Sequence, residues 1–161
     1  MISAVDLLKG IAVGAGMKVI TVEGANGGLH TNYEGKAQAA VDALTQEGYD
    51  FVYIHVEAPD EMGHQGHLKE KILAIEDLDR RIIAPIKAAM ETAGEEFRML
   101  VLPDHPTPIR CRTHTADPVP FVLFDSTKTY DQGCAFTEKS AKESGIVVEQ
   151  GYELIQKLIG G

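Results

Sequence analysis

Residues 50–57 read Asp-Phe-Val-Tyr-Ile-His-Val-Glu, and residues 58–67 continue Ala-Pro-Asp-Glu-Met-Gly-His-Gln-Gly-His. The first run is β-branched, aromatic and nearly continuous in apolar character, which predicts a strand covered on both faces. The second run is polar and glycine-flexed, so the strand hands Asp60 and His64 to a turn at its carboxyl end. A carboxylate and an imidazole four residues apart on such a turn can converge on one cation. Together their oxygen and nitrogen donors suit manganese or zinc better than calcium. The bland alternative is a solvated loop with incidental histidines.

Working outward, residues 2–14 have Val5, Leu8, Ile11 and Ala12 on one stripe and predict a helix that Gly16 ends. Residues 17–22 predict a strand, followed by a loop marked by Gly24, Gly27 and Gly28. An alanine-rich helix is expected over 34–46. A long helix is expected over 68–91, with Leu68, Ile72, Ile75, Leu78, Ile82 and Ile86 at helical spacing and Pro85 kinking it. Residues 97–102 and 119–124 predict two more buried strands, Pro120 marking an edge or a start. Helices near 137–143 and 149–159 finish the chain. Strands alternating with helices predict an α/β fold: three layers, α/β/α, around a mostly parallel sheet holding all four strands. In such sheets ligands sit at the carboxyl ends of the strands.

The chain has 161 residues, 44% of them hydrophobic and 24% charged, as expected of one soluble globular domain. A formal net charge of -9 disfavours nucleic acid or an anionic membrane as partner. It leaves room for a small phosphorylated substrate, because a metal ion reverses the local sign of charge. No apolar run approaches the ~20 residues of a membrane span, and the first residues lack the pattern of a signal peptide. Cys111 and Cys134 form no framework, so a reducing cytoplasm is the expected compartment.

Two further clusters lie at predicted strand ends. Asp104-His105 follows the strand at 97–102 inside Leu-Pro-Asp-His-Pro, and reads as a metal-ligand pair or as a turn. His114 lies in Arg-Thr-His-Thr-Ala-Asp-Pro-Val-Pro, just before the strand at 119–124. A single histidine there is more often structural than ligating. The conjunction alters that weighting: Asp60, His64, Asp104, His105 and His114 all fall at strand-end loops of one expected sheet. Five ligands supply most of two metal sites, and two metals about 3.5–4 Å apart can clamp a phosphoryl group.

At these residues the sequence resembles a known family. Asp60-x-x-Gly63-His64-x-Gly66, Pro103-Asp104-His105 and Thr113-His114-Thr115 with Asp117-Pro118-Val119-Pro120 resemble the alkaline phosphatase superfamily. Within it the chain is similar to the archaeal-type branch of cofactor-independent phosphoglycerate mutases. Glu23-Gly24-Ala25-Asn26-Gly27, Thr31-Asn32-Tyr33-Glu34-Gly35-Lys36 and His55-Val56-Glu57-Ala58-Pro59-Asp60 carry that likeness over nearly the whole chain.

The resemblance implies a metal-dependent isomerase of glycolysis that interconverts 3-phosphoglycerate and 2-phosphoglycerate through a phosphoserine. It implies two divalent metals, manganese or zinc. One would be held by Asp60, His64 and His114, the other by Asp104 and His105 with an aspartate and the serine nucleophile from an N-terminal segment. Neither of the last two has a counterpart here; Ser3, Ser126, Ser140 and Ser144 do not sit in the nucleophile's setting. Residues 1–161 are thus expected to be the C-terminal portion of the phosphatase-like domain, without the nucleophile segment or the inserted substrate domain. The fragment is expected to be inactive by itself, with partial metal occupancy or none, and the N-terminal half is its natural partner. Other expectations are a related phosphatase, phosphopentomutase or phosphonate hydrolase, and a non-enzymatic metal-binding module.

The remaining polar residues carry weaker expectations. His67 reads as a surface or supporting residue near the site, and His55 as a satisfied core histidine. Glu57 could orient a histidine ligand or cap a loop. Arg110 and Arg112 could meet phosphate or be solvated. His30 is expected to face solvent, and its glycine-rich loop lacks the Lys-Ser/Thr ending of a phosphate-cradling loop.

Overall fold

Met1–Ser3 form an extended segment with neighbours on both sides. Ile2 N–H bonds the Tyr53 carbonyl at 2.8 Å and the Ile2 carbonyl accepts from His55 N–H at 2.9 Å, making a parallel bridge between Ile2 and Ile54. On the other side the Met1 amine bonds the Lys18 carbonyl at 2.8 Å, and Ile20 N–H bonds the Met1 carbonyl at 2.9 Å. One residue bonding to two residues that lie two apart is the parallel pattern. Residues 2–5 are therefore not helical as expected. Ile2 is only 1% exposed between its neighbours. The Ser3 hydroxyl then accepts from Val5 N–H at 3.0 Å, turning the chain into α1, Asp6–Gly14.

The computed structural model describes residues 1–130 and 133–160. They form two compact units: residues 1–95 with 107–113, and residues 96–106 with the described residues from 114 onward. The first unit continues from α1 with α2 (Tyr33–Thr45), α3 (Ala58–Gln65), α4 (Leu68–Leu78), a π-helical turn (Asp79–Ile83) and α5 (Ala84–Ala93). α2 packs against the π turn and α5, and α3 packs against α4. Its core is lined by Tyr33, Ala37, Ala40 and Ala43 of α2 with Ile82, Ile86 and Met90. The kink expected at Pro85 takes the form of the π turn just before it. Proline lacks an N–H and its ring crowds the carbonyl four residues back, and a widened turn relieves both.

Arg81 projects from that turn and joins three elements. Its guanidinium lies 4.6 Å from the centre of the Tyr33 ring, bonds Asp77 at 3.0 Å and grips both oxygens of Glu34 at 2.5 and 2.8 Å. That bidentate grip holds the Glu34 carboxyl down at about 2 from its ordinary 4.5.

The second unit holds β1 (Arg98–Val101), β2 (Val122–Asp125), α6 (Glu138–Glu143), a 3-10 turn (Gly151–Glu153) and α7 (Leu154–Ile159). β1 and β2 pair antiparallel, Arg98 opposite Asp125 and Val101 opposite Val122. Arg98 bonds Asp125 at 3.0 Å across the pair and the Leu158 carbonyl of α7 at 3.2 Å. Phe124 stacks on Tyr130 and meets Phe97 at a tilt of 43°, with ring centres 5.6 Å apart in both pairs.

The chain is mixed α/β, but the described ladder is not the expected parallel sheet. Alternation predicted parallel pairing by assuming a helix between successive strands. No described helix lies between β1 and β2, so no crossover forces them parallel and the antiparallel ladder forms. The apolar runs at 17–22 and 50–57 are extended but mostly half-buried, and among the described residues they pair only through Met1–Ser3. The stripe predicted over 68–91 divides. Ile82 and Ile86 are buried, whereas Leu68, Ile72 and Ile75 are about half exposed (56%, 48% and 50%).

Two outcomes follow from this packing. Ile86→Ala should destabilise the chain by about 2–5 kcal/mol in urea unfolding, because the side chain is buried between helices. Lowering the pH should remove the contribution of Glu34. With its folded pKa depressed, that contribution is complete above 4.5 and disappears as the pH falls towards about 2. Glu34 is largely exposed, so the effect is small. Glu34→Gln should flatten the acid limb of a melting-temperature profile in that window.

Candidate metal centre

The cluster after the 50–57 segment is not a turn but the helix α3. Pro59 occupies its first turn, where a missing N–H costs nothing. Asp60 and Glu61 face the positive end of the helix dipole. Gly66 closes it at φ 74, a left-handed position that favours glycine. A helix puts residues four apart on one face, so Asp60 and His64 meet, with Oδ2 and Nε2 3.4 Å apart.

Two contacts from residues 107–113 hold that pair, and Lys71 ties the two stretches together. The Thr107 hydroxyl donates to Asp60 Oδ1. His64 Nδ1 lies 3.0 Å from the Arg112 carbonyl. Lys71 of α4 donates to the carbonyls of Pro59 at 2.9 Å and Thr107 at 3.1 Å. Two glycines permit the approach: a Cβ on Gly63 would lie 2.6 Å from the Thr107 carbonyl, and one on Gly66 2.5 Å from Arg112 Nε. Arg112 itself has φ 53, a strained left-handed conformation for a residue with a side chain.

The Arg112 contact decides the chemistry of His64. A carbonyl only accepts, so Nδ1 must carry the hydrogen. Nε2 then either bears a second proton and ion-pairs with Asp60, or turns its lone pair towards a carboxylate oxygen. Two lone pairs 3.4 Å apart repel unless a cation lies between them. A ring nitrogen fixed by a hydrogen bond to a carbonyl, with the other nitrogen turned to a carboxylate, is how proteins present histidine to a metal. The residues of this unit therefore fit a divalent ion.

The second unit carries the other three candidates. His105 Nε2 lies 3.3 Å from Asp104 Oδ2, and His105 N–H bonds Asp104 Oδ1 at 3.0 Å. The His105 and His114 rings stack with centres 3.6 Å apart, inclined by 30°. Neutral imidazole is the ligating form. Thus Asp60 and His64 are brought together in the first unit, and Asp104, His105 and His114 in the second.

Thr107, Lys71 and the Arg112 carbonyl were not expected from sequence. Hydroxyl, ammonium and backbone groups have no spacing signature; Pro-Thr-Pro at 106–108 was the one local cue, and it marks only a rigid turn. His67 and His30 are exposed. His55 is half-buried, its Nδ1 3.5 Å from Ser3 Oγ and 3.6 Å from Glu57 Oε1. Glu57 supports His55 rather than a ligand histidine, and its carbonyl accepts from Asp60 and Glu61 at the start of α3. Lys36 is buried beside it, donating to the His55 carbonyl at 3.1 Å and lying 3.7 Å from Glu57. Burial lowers the Lys36 pKa against the pull of Glu57. Burial pushes Glu57 up, but His55, its own backbone and Lys36 outweigh that and leave it lowered. Arg110 is exposed and bonds Cys111 Sγ at 3.0 Å; both cysteines are free thiols.

A fold that is mixed α/β and a donor set of carboxylates and imidazoles describe a metalloenzyme. The chain belongs to the Metalloenzyme superfamily, whose sequence model matches residues 1–150. It is 54% identical over 160 residues to a probable 2,3-bisphosphoglycerate-independent phosphoglycerate mutase of Geobacter sulfurreducens, covering 99% of this chain and 39% of that protein. It is 53% identical to the 2,3-bisphosphoglycerate-independent phosphoglycerate mutase of Methanosarcina barkeri, covering 99% and 40%. The solved structure of the PH0037 protein from Pyrococcus horikoshii superposes with a TM-score of 0.80 at 29% identity, over 99% of this chain and 47% of its own. The chain spans about two fifths of the length of these curated relatives.

Thr107→Val should weaken divalent-metal binding by about 10–100-fold, the usual cost of losing a group that orients a ligand. Thr107→Ser should restore it. Titration calorimetry with manganese or zinc reads both. Equal affinity in all three proteins would remove Thr107 from the site.

Proposed function

We propose that this chain is the metal-holding C-terminal portion of a phosphoglycerate mutase that interconverts 3-phosphoglycerate and 2-phosphoglycerate. The observation that carries the reading is the placement of the His64 ring, with Nδ1 3.0 Å from the Arg112 carbonyl and Nε2 facing Asp60 Oδ2 at 3.4 Å. The names and high identity of the curated relatives support the mutase reaction over a related phosphatase, phosphopentomutase or phosphonate hydrolase.

Asp60 offers one carboxylate oxygen, and His64 and His114 one ring nitrogen each. We assign these three to one divalent ion. Sequence connects them closely, for only Thr113 separates His114 from Arg112, whose carbonyl holds His64. Asp104 and His105 are assigned to a second ion, completed by an aspartate and the nucleophilic serine of the N-terminal portion. Oxygen and nitrogen donors favour manganese or zinc. When bound, such ions neutralise charge on a phosphoryl group in transfer. The chain's own part is to hold the donors: Thr107 fixes Asp60, the Arg112 carbonyl fixes the ring of His64, and Lys71 keeps both supports in place.

In the complete protein the segments 17–22 and 50–57 join a mostly parallel sheet within a three-layer α/β/α domain. The parallel pairing on both sides of Met1–Ser3 supports this. No described helix is long and apolar enough to cross a membrane, and two free thiols suit a cytoplasmic setting.

Elemental analysis after dialysis against manganese or zinc tests the reading. The chain should retain close to one tightly held ion. His64→Ala and His114→Ala should each lose it while keeping the helical circular dichroism signal. The chain should not interconvert phosphoglycerates until the N-terminal portion of a relative is supplied. Turnover by the chain alone that survives His114→Ala would overturn both the ligand assignment and the division of labour, whereas metal retention without turnover in any reconstituted form would favour a metal-binding module.

A further inference from the structure

Leu68, Ile72 and Ile75 of α4 lie within about 60° of one another around the helix, and each stays about half exposed. Ala74 and Asp77 on the opposite side are buried. Single exposed apolar residues are ordinary, but an aligned stripe on a helix is a surface shaped for burial. The stripe lies on the same helix as Lys71, which holds the Pro59 and Thr107 carbonyls. α4 also packs directly against α3, the helix that bears Asp60 and His64.

We propose that the Leu68–Ile72–Ile75 face of α4 is the docking surface for the part of the longer polypeptide that the curated relatives carry outside the matched region. It rests on the reading of this chain as a portion of such a polypeptide. About three fifths of each relative lies outside the match, which leaves a large body of chain to pack against the matched portion. The size of the face selects this occupant over a second copy. One eleven-residue helix offers a face about 16 Å long and 10 Å wide, far below the ~800 Å² that each partner buries in a standard dimer. So small a face works where covalent connection supplies a high effective concentration. Burying this stripe also places the added segment next to α3, the helix that bears Asp60 and His64.

The test uses two polypeptides, both with Cys111→Ser and Cys134→Ser. One is this chain; the other joins the remaining part of the Geobacter sulfurreducens relative to it in one polypeptide. Ile72→Cys should react quickly with a soluble maleimide in the chain and at least about tenfold more slowly in the joined protein. Ile72→Glu should leave the melting temperature of the chain unchanged and lower that of the joined protein by several degrees. Equal labelling rates in the two folded proteins would overturn the proposal, as would an Ile72-dependent dimer of the chain in sedimentation. Should the joined protein not fold, the same cysteine at the aligned position of the full-length relative gives the answer, fast labelling there being the refuting result. None of these readouts uses metal or turnover. A protected Ile72 in an inactive protein would therefore sink the functional reading and leave the docking surface standing.

Discussion

Lys71 donates to two carbonyls, one at the start of α3 and one in the 107–113 segment, and the candidate site of the first unit depends on that bridge. The two carbonyls belong to chain stretches far apart in sequence, and among the described residues no strand ladder joins the two. An ammonium that bonds both carries charge-assisted hydrogen bonds, about twice as strong as neutral ones. Beside the bridge the Thr107 hydroxyl meets Asp60, and the turn in which Arg112 N–H bonds the Pro108 carbonyl brings the Arg112 carbonyl to His64. The close approach leaves no room beside Gly63, where a Cβ would fall 2.6 Å from the Thr107 carbonyl. The same geometry thus accounts for a lysine, a threonine, a glycine and the strained backbone of Arg112.

Much of the helical part was legible in the sequence. The alanine-rich stretch became α2 within a residue of its expected bounds, and Pro85 marked the place where the long helix changes its winding. Periodicity located α4 but could not say which face is covered. A 3.6-residue apolar period reports that a face is meant for burial, not that its partner lies in the same chain, and Leu68, Ile72 and Ile75 are exposed. The strands at 97–102 and 119–124 were placed nearly correctly, while their antiparallel pairing was not, because pairing depends on what connects strands rather than on their composition.

The candidate ligands were legible for a different reason. Asp, His and Gly at short spacing are chemically conspicuous, and each cluster followed an apolar run. The conformation of the first cluster was misread: two glycines and a proline within eight residues argue for a turn by composition. Position reverses that inference here. Proline in the first turn and glycine just past the last begin and end a helix, and the helix is what brings Asp60 and His64 onto one face. The supporting groups were invisible, since a backbone carbonyl such as that of Arg112 exists at every residue and only the fold selects it.

The buried pair of Lys36 and Glu57 shows the same preference for orientation over stability. Both side chains are almost fully withdrawn from solvent, and Glu57 receives His55 and Lys36 only at 3.6 and 3.7 Å, longer than hydrogen bonds. Removing two charges from water costs several kcal/mol per ion, and so loose a pair recovers little of it. Apolar residues of similar volume would pack more favourably. They could not donate to the His55 carbonyl, and that bond fixes the end of the extended segment from which α3 starts three residues later. The Glu57 carbonyl then receives Asp60 and Glu61, setting the first turn of the helix. A chain under selection for stability alone would discard this arrangement. A chain that must aim Asp60 and His64 to within a few tenths of an ångström has a physical reason to keep it.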